Sequence, residues 1–278
     1  MSAPFAPKQA LKFDPRYLLK LSAGLTRSVA DQIVSNHIPP LSKTSRIHDN
    51  GCGAGEVAKA LVEHNAVPAG ATIAATDINT TFLDELNKAL EENKSWPIES
   101  QVMDATALTY PDSIFALSVT NMVFANVKDD VATAKHIYRT LAPGGTGIVS
   151  VWKDSPWINI TIDAHYRTRG SDAPLPPPLA ASLYSVDHLS KALKSAEIEN
   201  VQYEDIVVYG NMTDVKEWAT IAWSFLARPP DGWTQADEDN WDKAIGIIVN
   251  DLINGDFTHE ENGVYKVKMI ATAAIFKK

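Results

Sequence analysis

Between residues 44 and 152 the hydrophobic positions alternate between short continuous apolar runs and stripes at helical spacing. The runs predict strands at Arg46–Asp49, Ala71–Asp77, Ile98–Met103, Ile114–Thr120 and Gly145–Trp152. The stripes predict helices at Ala54–Asn65, Thr80–Asn93 (with Asn79 or Thr80 as cap) and Asp129–Leu141. Both assignments follow from periodicity and capping signals. Ahead of this block, Leu18, Leu21, Leu25, Val29 and Ile33 recur at helical spacing. They predict a leading helix from Arg16 to Ile38, kinked near Gly24 and stopped by Pro39-Pro40. Prolines at 4, 7 and 15 predict an extended arm before it.

Beyond Trp152 the rhythm changes. A helix is expected at 156–169, then a stiff loop through Pro174 and Pro176-Pro177-Pro178. A helix capped by Ser185 or Asp187 runs to about Glu197, and a strand follows at 200–209. Two helices rich in Trp fill 213–253, separated by Arg228–Gly232, and Val264–Phe276 closes the chain as a strand. Strands buried on both faces and separated by helices define a parallel sheet covered on each side. The expected fold is therefore α/β: a Rossmann-like, doubly wound, seven-stranded sheet, mostly parallel with an antiparallel last strand, plus a helical lid insertion. We read one domain in five parts: an N-terminal arm and helix (1–43), a core (44–152), substrate-side helices and a strand (153–210), the lid (211–262) and the last strand (263–278).

Composition narrows the function. At 45% apolar residues over 278 positions, a large core needs no disulfide or metal to hold it. No run approaches the roughly 18 apolar residues of a membrane span, and the N-terminus lacks a signal core. The single cysteine, Cys52, excludes an internal disulfide, so a cytoplasmic setting is expected. Twenty-five basic against 34 acidic residues give a formal charge of −9, which opposes nucleic-acid binding. The run Asp237-Glu238-Asp239 reads as a solvated helix start, and no metal constellation is present. Nothing in the sequence fixes an oligomeric state.

Five elements carry chemistry. Asp49-Asn50-Gly51-Cys52-Gly53-Ala54-Gly55 lies at a strand-to-helix turn. There glycines permit close backbone approach, and the open N–H groups of the next helix face a ligand. Asp77 ends the following strand, 22 residues beyond Gly55, where a carboxylate can accept both hydroxyls of a ribose. It can equally serve the dipole of the helix that follows. Asp104-Ala105 follows the third strand, where the carboxylate can accept from an adenine amino group. Asn121-Met122 ends the fourth strand. Leu141-Ala142-Pro143-Gly144-Gly145 precedes the fifth, its glycine pair read as a helix stop.

In this order and spacing the five resemble the class I S-adenosylmethionine (SAM)-dependent methyltransferase family. The resemblance implies that Asp49, Gly51, Gly53 and Gly55 meet the methionine end of SAM. It implies that Asp77 holds the ribose and that Asp104 and Ala105 meet the adenine, with Ile78, Asn121 and Met122 completing the cofactor site. S-adenosylhomocysteine would be the product. Two departures stand out. Ala116 replaces an Asp common before strand four, and Ala125-Asn126 replaces a His pair common after it. A second similarity, carried by Val151-Trp152-Lys153, Pro156-Trp157 and His165–Gly170, is to fungal secondary-metabolism methyltransferases of the gliotoxin bis-thiomethyltransferase type.

Ligands of open α/β sheets bind beyond the carboxyl ends of the strands. Trp152, Trp157, His165 and Tyr166 are the expected substrate wall, suited to a small, flat, apolar acceptor. A thiol, hydroxyl or amine acceptor profits from a general base, and His165 is the candidate, ahead of His48 beside the glycine loop. Trp218, Trp223, Trp233 and Trp241 read as packing within the insertion. Two alternatives stand beside methyl transfer. One is a SAM-binding protein that works as a template without transferring methyl, in the manner of a cyclase. The other is a nicotinamide-dependent oxidoreductase, against which the missing third dinucleotide-type glycine at Glu56 counts.

Overall fold

The computed structural model describes residues 5–12 and 14–278. Pro4, part of the expected arm, lies outside the described residues, as do the side chains of Pro15 and Leu18. Its strands are β1 (Arg46–Asn50), β2 (Thr72–Asp77), β3 (Ile98–Val102), β4 (Phe115–Asn121), β5 (Leu141–Asp154), β6 (Gln202–Met212), β7 (Thr258–Glu261) and β8 (Val264–Lys277). They form one sheet in the order β3-β2-β1-β4-β5-β8-β6, with β7 paired on β8. Strands β3, β2, β1, β4 and β5 run parallel to one another. The long last strand β8 is antiparallel. The seven-stranded expectation holds, with β7 as one short addition.

By density of contacts the chain divides into two compact units. The larger holds residues 26–153, 184–206 and 271–278. Its helices are α2 (Leu25–Asn36, from Thr26 onward), α3 (Glu56–Glu63), α4 (Thr80–Glu92), α5 (Asp130–Thr140) and α8 (Val186–Ser195). Local chemistry sets their starts. Asn79 caps α4 by accepting from Thr81 N–H at 3.0 Å, and Asp129 caps α5 by accepting from Ala132 N–H at 2.8 Å. Ser185, not Asp187, caps α8 in a capping box with His188. The core against α5 and α8 is built from Phe115, Ile137, Leu141, Val149, Leu189, Leu193 and Phe276. Gly147 belongs to this packing: a Cβ there would lie 2.3 Å from the Phe276 ring.

The smaller unit holds residues up to Leu25, 154–183 and 207–270. Its helices are α1 (Pro15–Ser22), α6 (Pro156–Arg169), α7 (Pro177–Ala181), α9 (Val215–Leu226), α10 (Gln235–Asp239) and α11 (Trp241–Asn254). Trp157 stacks on Trp218 with ring centroids 4.9 Å apart, and the Trp218 indole N–H donates to Leu21 O at 3.2 Å. Trp218, Trp223, Trp233 and Trp241 are all buried, as expected of packing residues.

Three local expectations are corrected. The leading helix is two helices, broken where Ala23 (φ 45°) and Gly24 (φ 76°) turn left-handed. The glycine pair after Pro143 does not stop α5, because extended backbone already begins at Leu141. Gly145 is needed for close approach instead: a Cβ there would sit 2.7 Å from Phe115 O. The third is β7, which pairs with β8 through a tight turn at Asn262 (φ 54°) and Gly263 (φ 77°).

Candidate cofactor site

All ten residues expected to meet the cofactor belong to the larger unit, at the carboxyl ends of β1, β2, β3 and β4. The glycine loop leaves β1 with Gly51, Gly53 and Gly55 in left-handed backbone (φ 69°, 56° and 86°). The three differ in what surrounds them. A Cβ on Gly51 would meet Val123 at 2.4 Å, and one on Gly55 would meet Leu86 at 2.6 Å. A Cβ on Gly53 would point into open space, with nothing within 4 Å. Gly51 and Gly55 are glycines because the protein crowds them. Gly53 is not crowded by the protein, so its left-handed φ alone calls for glycine there.

The loop feeds α3, whose N-cap Gly55 has no side chain to serve its first turn. Asp49 supplies the missing acceptor from within β1, taking the Ala58 N–H at 2.9 Å. Its carboxyl is 1% exposed, and burial, reinforced by nearby Glu56 and Asp77, raises its pKa to about 7. In the structure the partner of Asp49, expected to meet the cofactor, is this helix amide.

Asp77 ends β2 as expected. Its Oδ2 accepts from Gly53 N–H and its Oδ1 from Asn79 N–H, each at 2.8 Å. Next to it Ile78 is 65% exposed, an apolar side chain presented to solvent at the sheet edge. Asp104 caps the short 3₁₀ turn at Ala105–Ala107, accepting from Thr106 N–H and Oγ1–H at 2.8 Å through Oδ1. These bonds hold its pKa below the usual carboxylate value. Ala105 is buried beneath it. Asn121 and Met122 close the row at the end of β4, Met122 with a left-handed φ of 60°. Cys52 is buried within the loop, and burial pushes its thiol well above the usual range.

The substrate-side expectations fare differently. Trp152, near the end of β5, is partly exposed, as is Tyr166 on α6. Trp157 is 5% exposed against Trp218, so packing replaces the expected substrate wall there. His165 is corrected more sharply. It is 1% exposed, and both ring nitrogens are engaged: Nδ1 faces Arg169 Nη1 at 2.8 Å and Nε2 faces Ala173 O at 3.3 Å. Arg169 can only donate, so Nδ1 accepts and the proton sits on Nε2. No nitrogen is left to take a proton from an acceptor. Arg169 is in turn held by buried Asp237 (Nε to Oδ1, 2.7 Å) and lies over Trp223 and Trp233. Asp237 is thus no solvated charge but a buried partner. His48, the second candidate, is fully buried, bonds Thr76 Oγ1 at 2.8 Å and stacks on Phe115. Burial drops its pKa to about 3, so it stays neutral.

Residues 48–149 match the family model described as a methyltransferase domain. A methyltransferase, ucsB, from Acremonium sp is 28% identical over 131 residues, 44% of this chain and 46% of that protein. The match thus spans about half the length of that relative. Among solved structures, geranyl diphosphate methyltransferase in complex with SAM aligns over 99% of this chain and 97% of its own, with TM-score 0.51 and 16% identity. A phosphoethanolamine N-methyltransferase 2 of Haemonchus contortus, bound to S-adenosylhomocysteine, aligns over 89% of this chain and 52% of its own (TM-score 0.53, 13% identity). The [4+2]-cyclase SpnF aligns over 90% and 81% (TM-score 0.51, 15% identity). At these identities the three show the fold. The family match to a methyltransferase domain covers residues 48–149, and the fold shared with these solved proteins extends over most of the chain.

Among the described residues no helix is long and apolar enough to cross a membrane, and no cluster of His, Cys, Asp and Glu could hold a metal ion.

Proposed function

We propose that the chain is a SAM-dependent methyltransferase acting on a small molecule. The observation that carries this reading is the pairing of open space beside left-handed Gly53 with the Asp77 carboxylate 2.8 Å from the Gly53 amide. A backbone that makes room at one residue and places an acid beside it fits a nucleoside with an attached amino-acid tail. The loop amides serve the tail, Asp77 the ribose hydroxyls, and Ile78 with Asp104-Ala105 an adenine ring. When bound, SAM supplies an electrophilic methyl group on a sulfonium centre. The chain's own part is to hold and orient, since positioning alone provides much of the acceleration of such a displacement.

His165 and His48 supply no base, so the acceptor is one that reaches the site as a nucleophile, or passes its proton to water. An ionised thiol or phenol on an aromatic or secondary-metabolite scaffold fits, with partly exposed Trp152 as the acceptor-facing aromatic. The test is product mass. Incubation with SAM and a panel of thiols, phenols and amines should yield one product heavier by a methyl group, together with S-adenosylhomocysteine. Cofactor binding without any methylated product would instead favour the template reading.

A further inference from the structure

Asn121 and Ser150 are direct partners in the β4–β5 register. Both polar side chains are engaged within the protein. The Asn121 amide donates through Nδ2 to Thr26 O in the first turn of α2 at 3.0 Å. Its Oδ1 accepts from the Ser150 hydroxyl at 2.6 Å. Ser150 is fully buried, and its hydroxyl oxygen accepts from Met122 N–H at 3.2 Å, while its carbonyl accepts from the same amide at 3.1 Å.

That amide belongs to a strained residue. Met122 has φ 60°, a conformation that costs a side-chain-bearing residue free energy and persists only where its surroundings enforce it. The consequence reaches the glycine loop. The left-handed turn at Met122 directs the chain so that Val123 packs against Gly51, closely enough that a Cβ on Gly51 would lie 2.4 Å from a Val123 methyl. A connected series of contacts therefore runs from Thr26 through Asn121, Ser150, Met122 and Val123 to Gly51. A second tie parallels it, from Asn50 Nδ2 to Thr120 Oγ1 at 3.2 Å.

From this series we infer that Asn121 and Ser150 are positioning residues for the cofactor loop: they hold Met122 left-handed so that Val123 sets where Gly51 lies. The inference rests on the proposed use of that loop to bind SAM. It adds to the expected cofactor contact of Asn121 a role in holding the loop. Helix α2 is tied to the same device through Thr26, so a disturbance at the start of α2 reaches the loop without touching a ligand.

Glycine adopts φ 60° without strain, so a Met122→Gly chain has no need of the clamp. Calorimetry with S-adenosylhomocysteine on four proteins tests this: wild type, Ser150→Ala, Met122→Gly and the double variant. The expected result is that Ser150→Ala weakens binding about five- to tenfold in the wild-type background. In the Met122→Gly background the same change should cost less than about twofold, the mark of coupled residues in a double-mutant cycle. Equal weakening in both backgrounds, or none in either, overturns the inference. Hydrogen exchange of amides 51–55 in the four ligand-free proteins reads the same coupling without the cofactor. If wild type fails to bind S-adenosylhomocysteine, the methyltransferase reading falls while the exchange arm still decides the positioning claim. Should Ser150→Ala not fold, Asn121→Ser removes the clamp from its other end and is read in the same two backgrounds.

Discussion

Asp77 and Gly53 are joined across 24 residues: the carboxylate of the one accepts the backbone N–H of the other at 2.8 Å. The acid proposed to hold a ribose thus also fixes the loop proposed to receive the rest of the cofactor. Asp77→Ala removes both contributions. Affinity for SAM should fall by about 1.5–3 kcal/mol, the usual worth of hydrogen bonds to a charged acceptor. Amides 51–55 should exchange faster even without ligand. Full-strength binding in a calorimetric titration of this variant takes Asp77 out of the site.

The three loop glycines should respond differently to alanine. Gly51→Ala and Gly55→Ala drive a Cβ into Val123 and Leu86, so each should lose about 1–3 kcal/mol of stability from overpacking, plus the left-handed cost. Gly53→Ala meets no protein atom and should lose only the backbone term, about 1–2 kcal/mol, while SAM binding disappears. Thermal unfolding and calorimetry on the three variants separate the cases. Normal binding by Gly53→Ala means the open space beside Gly53 holds nothing.

Asp49 predicts a pH dependence. Its folded-state pKa of about 7 stands above the unfolded value near 4, so the folded chain binds the extra proton. Stability from this group is complete below pH 4 and is lost as pH rises through 7. Between pH 5 and pH 8 the loss should be about 2–3 kcal/mol. Asp49→Asn keeps an oxygen for the Ala58 amide and cannot ionise. Its stability should therefore fall less than that of wild type over this range, and parallel denaturation curves for the two would contradict the burial argument.

Much of the larger unit was legible because its signals are local. The strands of the parallel sheet announce themselves as apolar runs, and Asn79 and Asp129 cap the helices they precede in sequence. The Asp77 position followed from strand end and spacing alone. What local signals miss is set by distant partners. His165 looked free until folding placed Arg169 and Ala173 on its two nitrogens, and Asp237, 68 residues from Arg169, completed that network. The Asn121–Ser150 clamp is equally non-local, being a matter of strand register. The β7–β8 turn was different. Asn262-Gly263 is the sequence signature of a two-residue hairpin and was present to be read.

The buried pair Arg169–Asp237 gives a stability prediction for the smaller unit. Asp237→Ala strands a cation between Trp223 and Trp233 and should cost about 3–5 kcal/mol. His165→Gln removes the acceptor of one Arg169 hydrogen bond and should cost about 1–3 kcal/mol. Its pH–rate profile should keep the wild-type shape, because His165 transfers no proton. A limb of that profile lost in His165→Gln restores the base role.

The central claim, that this fold binds SAM at the glycine loop, is met most directly by titrating the wild-type protein in a calorimeter with S-adenosylhomocysteine and, separately, with NAD. The account predicts saturable one-site binding of S-adenosylhomocysteine that Gly53→Ala abolishes, and no heat from NAD. Binding of NAD in its place, or S-adenosylhomocysteine binding that Gly53→Ala leaves intact, contradicts it.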